Sequence, residues 1–580
     1  MVDNGTGASA AYHATLHTAV GAKTLYTNTI GYRNTALGSY SMFSNTNGNR
    51  NLAAGAAALY SNTEGNNNTA IGNDALFANT TGSKNTASGS NALQTSTTGE
   101  SNCAFGYNSL AANTAGNFNT SLGTNAMSDN TTGSSNVAIG NVALQSNTNS
   151  SNLVAIGDSS MVNNGTGASA AYHATLNTAV GAKTLYTNNI GYRNVALGSY
   201  ALFSNTTGMR NSAVGAAALY SNTDGNNNVA SGNDALFANT TGNRNTATGS
   251  NALSSNTTGS TNTAYGFKAL NSNTVGFSNV AMGTHALQNN IDKSNLVAVG
   301  DSALYNNGLG STGTEARWNT AIGSKALYSN TTGAHNSASG YMALYYNVDG
   351  SDNTTFGCKS LYFNSYGSGN TAIGTAALLM NTGGEYNFAG GYESLINNST
   401  GNFNVAVGHQ AMNANVAGSY NTGIGAGSMG NGYSLWGAVG IGAGASPTAD
   451  NHVRIGNTAS SSIGGYANWT NLSDERFKRD VMENVPGLAF IEKLRPVTYK
   501  IDMDKLNGFL GLSNKIDGDQ FLIDSKEQKG NVIQSGFIAQ EVEKAAVELG
   551  FVFSGIETPV NDKSHYGIHY AEIVGPLVKA

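Results

Sequence analysis

Residues Asn68–Lys84 read NTAIGNDALFANTTGSK, and this seventeen-residue phrase returns along most of the chain. Its glycine, here Gly72, recurs from Gly21 to Gly157, from Gly181 to Gly300 and from Gly323 to Gly442, marking 25 units. Four residues after it stands Leu or Met in 24 of them, from Leu25 to Met429, with Ser446 the exception. A position held so constant among copies in one chain reads as an interior column. The position before the glycine (Ile71, Phe105, Leu122, Ile139, Val214, Ile322, Ile424) reads as a second, looser interior column, with small residues such as Ala70 and Ala75 between. One unit is too short to bury these side chains, whereas stacked units join them into a continuous core.

Helical repeats fit poorly, because two glycines per unit would each cost about 1 kcal/mol relative to alanine in a helix. Coils of strand fit better. Glycine then serves the corners, and Asn-Thr-Thr-Gly makes a turn closed by side-chain hydrogen bonds. Asparagine stands four before the anchor in 21 units, the exceptions being His17, Leu153, Leu296 and Ala438. Stacked in register these asparagines form a ladder along the axis; alternatively, asparagine serves there only as a turn residue. The chain has 74 glycines, and its first proline is Pro447. A ring that removes a backbone donor is excluded from a hydrogen-bonded stack, so the absence agrees with continuous sheet.

Charge divides the chain. Half of the 60 Asp, Glu, Lys and Arg residues fall in 473–580. The expected domains are a repetitive β-solenoid shaft over 1–446, a connector over 447–472 and a compact domain over 473–580. A net charge of -6 without a basic stripe argues against nucleic acid as a partner. No apolar run approaches the roughly 20 residues of a membrane span, and Met1 opens no secretory signal. Cys103 and Cys358 lie fourteen units apart, about 67 Å at one strand spacing per unit, which excludes a disulfide between them. Neither a metal nor a cofactor is expected. GAGSMG at 425–430 matches a nucleotide-binding glycine pattern but lies inside a repeat with no following helix, and the scattered histidines are non-equivalent.

A single-chain solenoid with so thin a core calls for association around a symmetry axis. The Asn-Thr-Ala-Ile-Gly-x-x-Ala-Leu pattern resembles the head repeats of trimeric autotransporter adhesins over nearly all of residues 17–446, although those heads use a somewhat shorter coil. The resemblance implies a mainly β fold, a homotrimeric parallel β-roll with 17-residue coils, about 120 Å long for 25 units. Two units are overlong: Gly157 to Gly181 is 24 residues and Gly300 to Gly323 is 23. Their excess should bulge outward. MVNNGTGASAAYHATLN at 161–177 repeats MVDNGTGASAAYHATLH at 1–17, so Met1 falls within a repeat, as expected if the sequence starts mid-fibre or a duplication reached the terminus. These loops carry Tyr12, Tyr172 and Trp318, candidate receptor or glycan contacts, or else covers for a joint.

Beyond Gly442 the period fails. Helical and alternating patterns predict helix over 486–494, strand over 496–501, strand over 535–538 and helix over 540–549, where Val542, Ala545, Ala546 and Leu549 share a face. Ser473-Asp474-x-Arg476-x-Lys478, LRPVTY at 494–499, GFIAQEVE at 536–543 and HYAEIVGPLVKA at 569–580 resemble the endosialidase-type intramolecular chaperone of phage tail spikes. The resemblance implies an α+β domain that trimerises, helps the fibre fold and cuts itself off between Leu472 and Ser473. Ser473 would attack the Leu472 carbonyl with Lys478 as general base, a role open to lysine where burial or cationic neighbours favour its neutral form. Oxyanion donors must exist but no residue type reveals them. Without the resemblance, Ser473 reads as a helix cap; Asp474 and Arg476 either orient the site or pair across a trimer. Relatives usually continue past the equivalent of Ala580 into a further helix, so a shortened end is expected to impair trimerisation or release.

The resulting expectation is a homotrimeric tail fibre or surface adhesin for receptor attachment, outside the cell on a phage, an injection-system particle or a bacterial surface. Its partners would be a receptor or glycan and a baseplate or upstream fibre segment. A glycan-degrading spike and an ice-binding solenoid are the alternatives, the first lacking a domain with paired carboxylates.

Overall fold

The computed structural model describes residues 14–430, 434–460, 462–466, 470–510, 520–562 and 564–580. Contacts divide the chain into two compact units, Met1–Asn336 and Ser337–Ala580. Each contains a stack of parallel coils. Among the described residues, the first unit has eighteen three-residue strands from Thr18–Val20 to Thr320–Ile322, and the second has eight from Ser337–Ser339 to Val453–Ile455. Neighbouring strands pair in parallel seventeen residues apart, as in Thr69↔Thr86, Ala70↔Ala87 and Ile71↔Ser88.

The strand ladder is only one side of the hydrogen bonding. In the coil 68–84, Leu76 N–H and Ala78 N–H donate to Ala92 and Gln94 carbonyls above, while Asp74 and Lys84 donate to Ala56 and Asn66 below. Most of the perimeter is thus tied to both neighbours, so a coil gains its bonds only by stacking. The corners require it. Gly72 lies at φ +132°, and Asp74, Leu76 and Lys84 are all left-handed, at φ 56°, 52° and 60°. A non-glycine left-handed residue costs roughly 1 kcal/mol or more, so an isolated coil carries a deficit that its neighbours must offset.

The interior is filled by the leucine column and two alanines. Leu76, Ala70 and Ala75 are fully buried, as are most of their equivalents along the stack. The column preceding the glycine, expected inside, faces outward: Ile71, Leu122 and Ile322 are 44%, 48% and 46% exposed. The strand centre points in, so its neighbours must point out. The space between strand and leucine column admits alanine, and the larger residue takes the outer face.

Two asparagine columns complete the core. Asn68 Oδ1 accepts the N–H of Asn85, and its amide donates to the Gly82 carbonyl fourteen residues on. The asparagine of the turn makes the second column: Asn79 Nδ2 donates to Asn62 Oδ1 at 2.7 Å and to the Gly82 carbonyl. Beside them Thr80 Oγ1 donates to the Thr97 carbonyl. Aromatic rings also stack, Tyr26, Phe43, Tyr60 and Phe77 lying 5.0–5.1 Å apart and nearly parallel.

In the second unit the strand Val453–Ile455 pairs with Val439–Ile441 at a spacing of fourteen residues. It lies inside the stretch expected as connector; the shortened coil escapes a search for period seventeen. The C-terminal segment contains helices α1 (Leu488–Ile491), α2 (Met503–Phe509), α3 (Gln520–Asn531), α4 (Ala539–Glu548) and α5 (Val574–Lys579). Strand Val497–Tyr499 pairs antiparallel with Gln534–Gly536, and Ile556–Glu557 with Gly567–Ile568. Val542, Ala545 and Ala546 of α4 bury against Phe490 of α1, with Phe551 and Phe553 closing the core. Among the described residues no helix is long and apolar enough to cross a membrane.

Candidate functional site

A single turn of 3-10 helix, Glu475–Phe477, reverses the chain just after Ser473. Lys478 N–H closes it by donating to the Glu475 carbonyl at 3.0 Å. This folds Lys478 back over the start of the turn, where Nζ lies 2.9 Å from Ser473 Oγ. The cap of the turn is Asp474, whose Oδ1 accepts the Arg476 N–H at 2.9 Å. Ser473 is therefore not the capping residue, and its hydroxyl faces the lysine. Arg476 and Asp474 pair with each other through the Arg476 Nε, 3.1 and 3.0 Å from the two carboxylate oxygens. The Arg476 guanidinium, followed by its backbone N–H, holds the Asp474 carboxyl below the ordinary aspartate range. Ser473 and Lys478 are exposed, and Leu472 is 79% exposed.

Residues 473–551 match the family model for the chaperone of endosialidase. The matched segment begins at the serine that Lys478 faces and includes LRPVTY and GFIAQEVE; HYAEIVGPLVKA lies beyond it. Neither a curated protein nor a solved structure matches the chain. A chaperone-of-endosialidase segment behind a parallel β-solenoid fits a phage tail fibre or spike.

The candidate receptor contacts have different surroundings. Tyr12 lies outside the described residues. Tyr172 is 59% exposed and meets Tyr192 edge-on at 5.5 Å. Trp318 stacks on His335 at 5.0 Å, which covers one face of the indole. Both described residues belong to the overlong coils, whose loops share one closure. In an ordinary coil the turn asparagine bonds a carbonyl three residues on; here Asn164 reaches Ala174 and Asn307 reaches Ala316, across the inserted residues.

The coil beneath each loop is specialised, which sequence reasoning missed. A Cβ on the turn glycine Gly48 would stand 2.7 Å from the Gly65 carbonyl oxygen, yet the equivalent positions below the loops are Ser150 and Lys293. Lys293 is fully buried, its stem passes beneath Gly308, and Nζ donates to the Ser311 and Gly313 carbonyls at 3.3 and 3.4 Å. Asp292 pairs with it at 3.2 Å. Leu153 and Leu296, both fully buried, stand where the ladder asparagine would be at the start of each overlong coil. Two breaks in the template one coil before an insertion were the available signal. Lys293→Ala is expected to raise amide hydrogen exchange of residues 309–315 about tenfold by mass spectrometry, leaving residues 166–173 unchanged as an internal reference.

Proposed function

We propose that this chain is the subunit of a homotrimeric attachment fibre whose C-terminal segment guides assembly and then severs itself between Leu472 and Ser473. The observation that supports it most directly is the apolar stripe on the outer face of the strands. It includes Ile71, Leu122 and Ile322 in the first unit and Phe356, Ile373 and Ile424 in the second, each at least 42% exposed. An exposed apolar strip repeated in coil after coil demands a cover. A second copy of the same stripe, related by a symmetry axis along the stacking direction, supplies one with matching period.

Identical coils offer many near-equivalent alignments between chains, and a terminal clamp selects one. Cutting the clamp away afterwards leaves a trimer held by a high unfolding barrier. In the cleavage step the Ser473 hydroxyl proton passes to a neutral Lys478 amine as Oγ adds to the Leu472 carbonyl carbon. The C–N bond breaks, the proton moves to the Ser473 nitrogen, and Leu472 is held as an ester on Oγ. Water hydrolyses that ester, releasing the Leu472 carboxylate and restoring the hydroxyl. A lysine becomes a base when desolvation favours its neutral form, so assembly that covers the exposed dyad couples cutting to trimer formation. Tyr172 and Trp318 are the proposed receptor contacts. The ice-binding alternative loses support because Thr80 and its equivalents spend their hydroxyl protons on backbone carbonyls.

Cys103 tests the trimer, since it occupies the first position of the strand Cys103–Phe105 on the striped face. In a Cys358→Ser background, a short bis-maleimide is expected to join Cys103 between chains. Only two of three thiols around an axis can pair, so about two-thirds of the chains should run as dimers on a denaturing gel. Burial pushes the Cys103 thiol up, so the coupling is run at mildly alkaline pH. Full labelling without cross-linking overturns the trimer.

A further inference from the structure

The last coil touches the C-terminal segment through polar groups. Thr458 Oγ1 donates to Oδ1 of the buried Asn507 in α2 at 3.0 Å, Lys529 of α3 donates to the Ser460 carbonyl at 3.0 Å, and His452 lies 3.6 Å from the Glu557 carboxylate. Between the two surfaces is a cavity of about 710 Å³, lined by Arg454 and Asn457 on one side and by Leu506 and His565 on the other. The order of these contacts along the chain is decisive. Every shaft-side partner precedes Leu472 and every partner on the C-terminal segment follows Ser473. The exposed peptide between them takes no part in the contact, so cutting it leaves all three contacts intact.

We propose that the terminal coil is a docking seat, on which the severed segment 473–580 remains bound until a second, salt-sensitive step releases it. The inference rests on the cleavage reading for its order of events. A few polar contacts around an open cavity make a weaker seat than a packed apolar interface, and the part carried by charge is screened by salt. Release is then governed by these contacts and not by the Ser473–Lys478 dyad.

The test uses the full chain. A denaturing gel first establishes that it is cut, and native size-exclusion chromatography is then run at about 0.02 M and about 1 M salt. The two pieces are expected to co-elute at low salt and separate at high salt, and the Asn507→Ala, Lys529→Ala double variant to separate at low salt, at least tenfold faster than the wild-type sequence. If the double variant is not cut, Lys529→Met alone takes its place. Separation of the wild-type pieces at low salt overturns the seat, as does retention at high salt. A single band on the denaturing gel instead refutes self-cleavage; a site-specific protease sequence inserted between Gly464 and Gly465, where the chain is exposed, then severs it, and the same elution profiles decide the seat.

Discussion

On a denaturing gel the wild-type chain is expected to run as two pieces, residues 1–472 and 473–580, whereas Ser473→Ala runs as one. The hydroxyl is the sole nucleophile in the proposed step, so its removal should slow cutting by about a thousandfold or more, as loss of a nucleophile does in serine hydrolases. Lys478→Met should be comparably defective, because Nζ is the group placed 2.9 Å from Ser473 Oγ. Asp474→Asn provides a contrast. It weakens the pair with Arg476 but retains a side-chain oxygen to cap the turn, so a loss below tenfold is expected. Equal defects in all three variants would mean that the turn is needed only for folding. Cutting that persists in Ser473→Ala, shown by mass spectrometry of the pieces, eliminates the proposed bond.

The second large effect is expected at the anchor glycine. Gly72 lies at φ +132°, where a Cβ would stand 2.5 Å from the Gly89 carbonyl oxygen and 2.6 Å from its carbon. The obstacle is backbone of the next coil, which cannot rotate aside. Gly72→Ala should therefore cost about 3 kcal/mol or more and break the stack locally. Gly313, in an overlong coil, has a similar need for positive φ, +69°, but nothing stands within 4 Å of an added Cβ. Gly313→Ala should cost only about 1 kcal/mol. Amide exchange of residues 69–93 and 305–318 in the two variants measures both. Equal protection in both would show that close approach of coils contributes nothing beyond the φ penalty.

The period of the shaft was legible because each corner demands the same residue type in nearly every copy: glycine where backbones approach, leucine or methionine inside, asparagine where an amide joins two coils. Which way the strand faces was not. Thr69, Ala70 and Ile71 alternate, and hydrophobicity alone would put Ile71 inside. Only the narrow gap to the leucine column decides for Ala70, and that gap is a distance between segments, invisible in a local pattern. The nearness of Ser473 and Lys478 was legible for the opposite reason, since they are five residues apart and one helical turn brings them together; the roles proposed for them came from the family resemblance and not from spacing. Helix α1 lies within its predicted span and α4 begins one residue before its own, whereas α2 and α3 were missed because residues 503–531 mix charges and glycines without a clear apolar face. The contacts of Asn507, Lys529 and Glu557 join residues far apart in sequence, and no spacing reveals them.

The two overlong coils also limit how far an assembly mistake can travel. In a run of near-identical coils, a segment that skips one partner finds almost the same bonds with the next, and nothing local reports the fault. A skipped coil arriving at Lys293 would force its stem beneath an ordinary turn, where even a methyl group collides with the carbonyl above. It would also set Leu296 where an ordinary coil holds an asparagine whose amide bonds the turn carbonyl. The fault becomes costly there and is confined to the eight coils between the two insertions, so the loops divide a long copying problem into shorter stretches and proofread it where the first two stretches end.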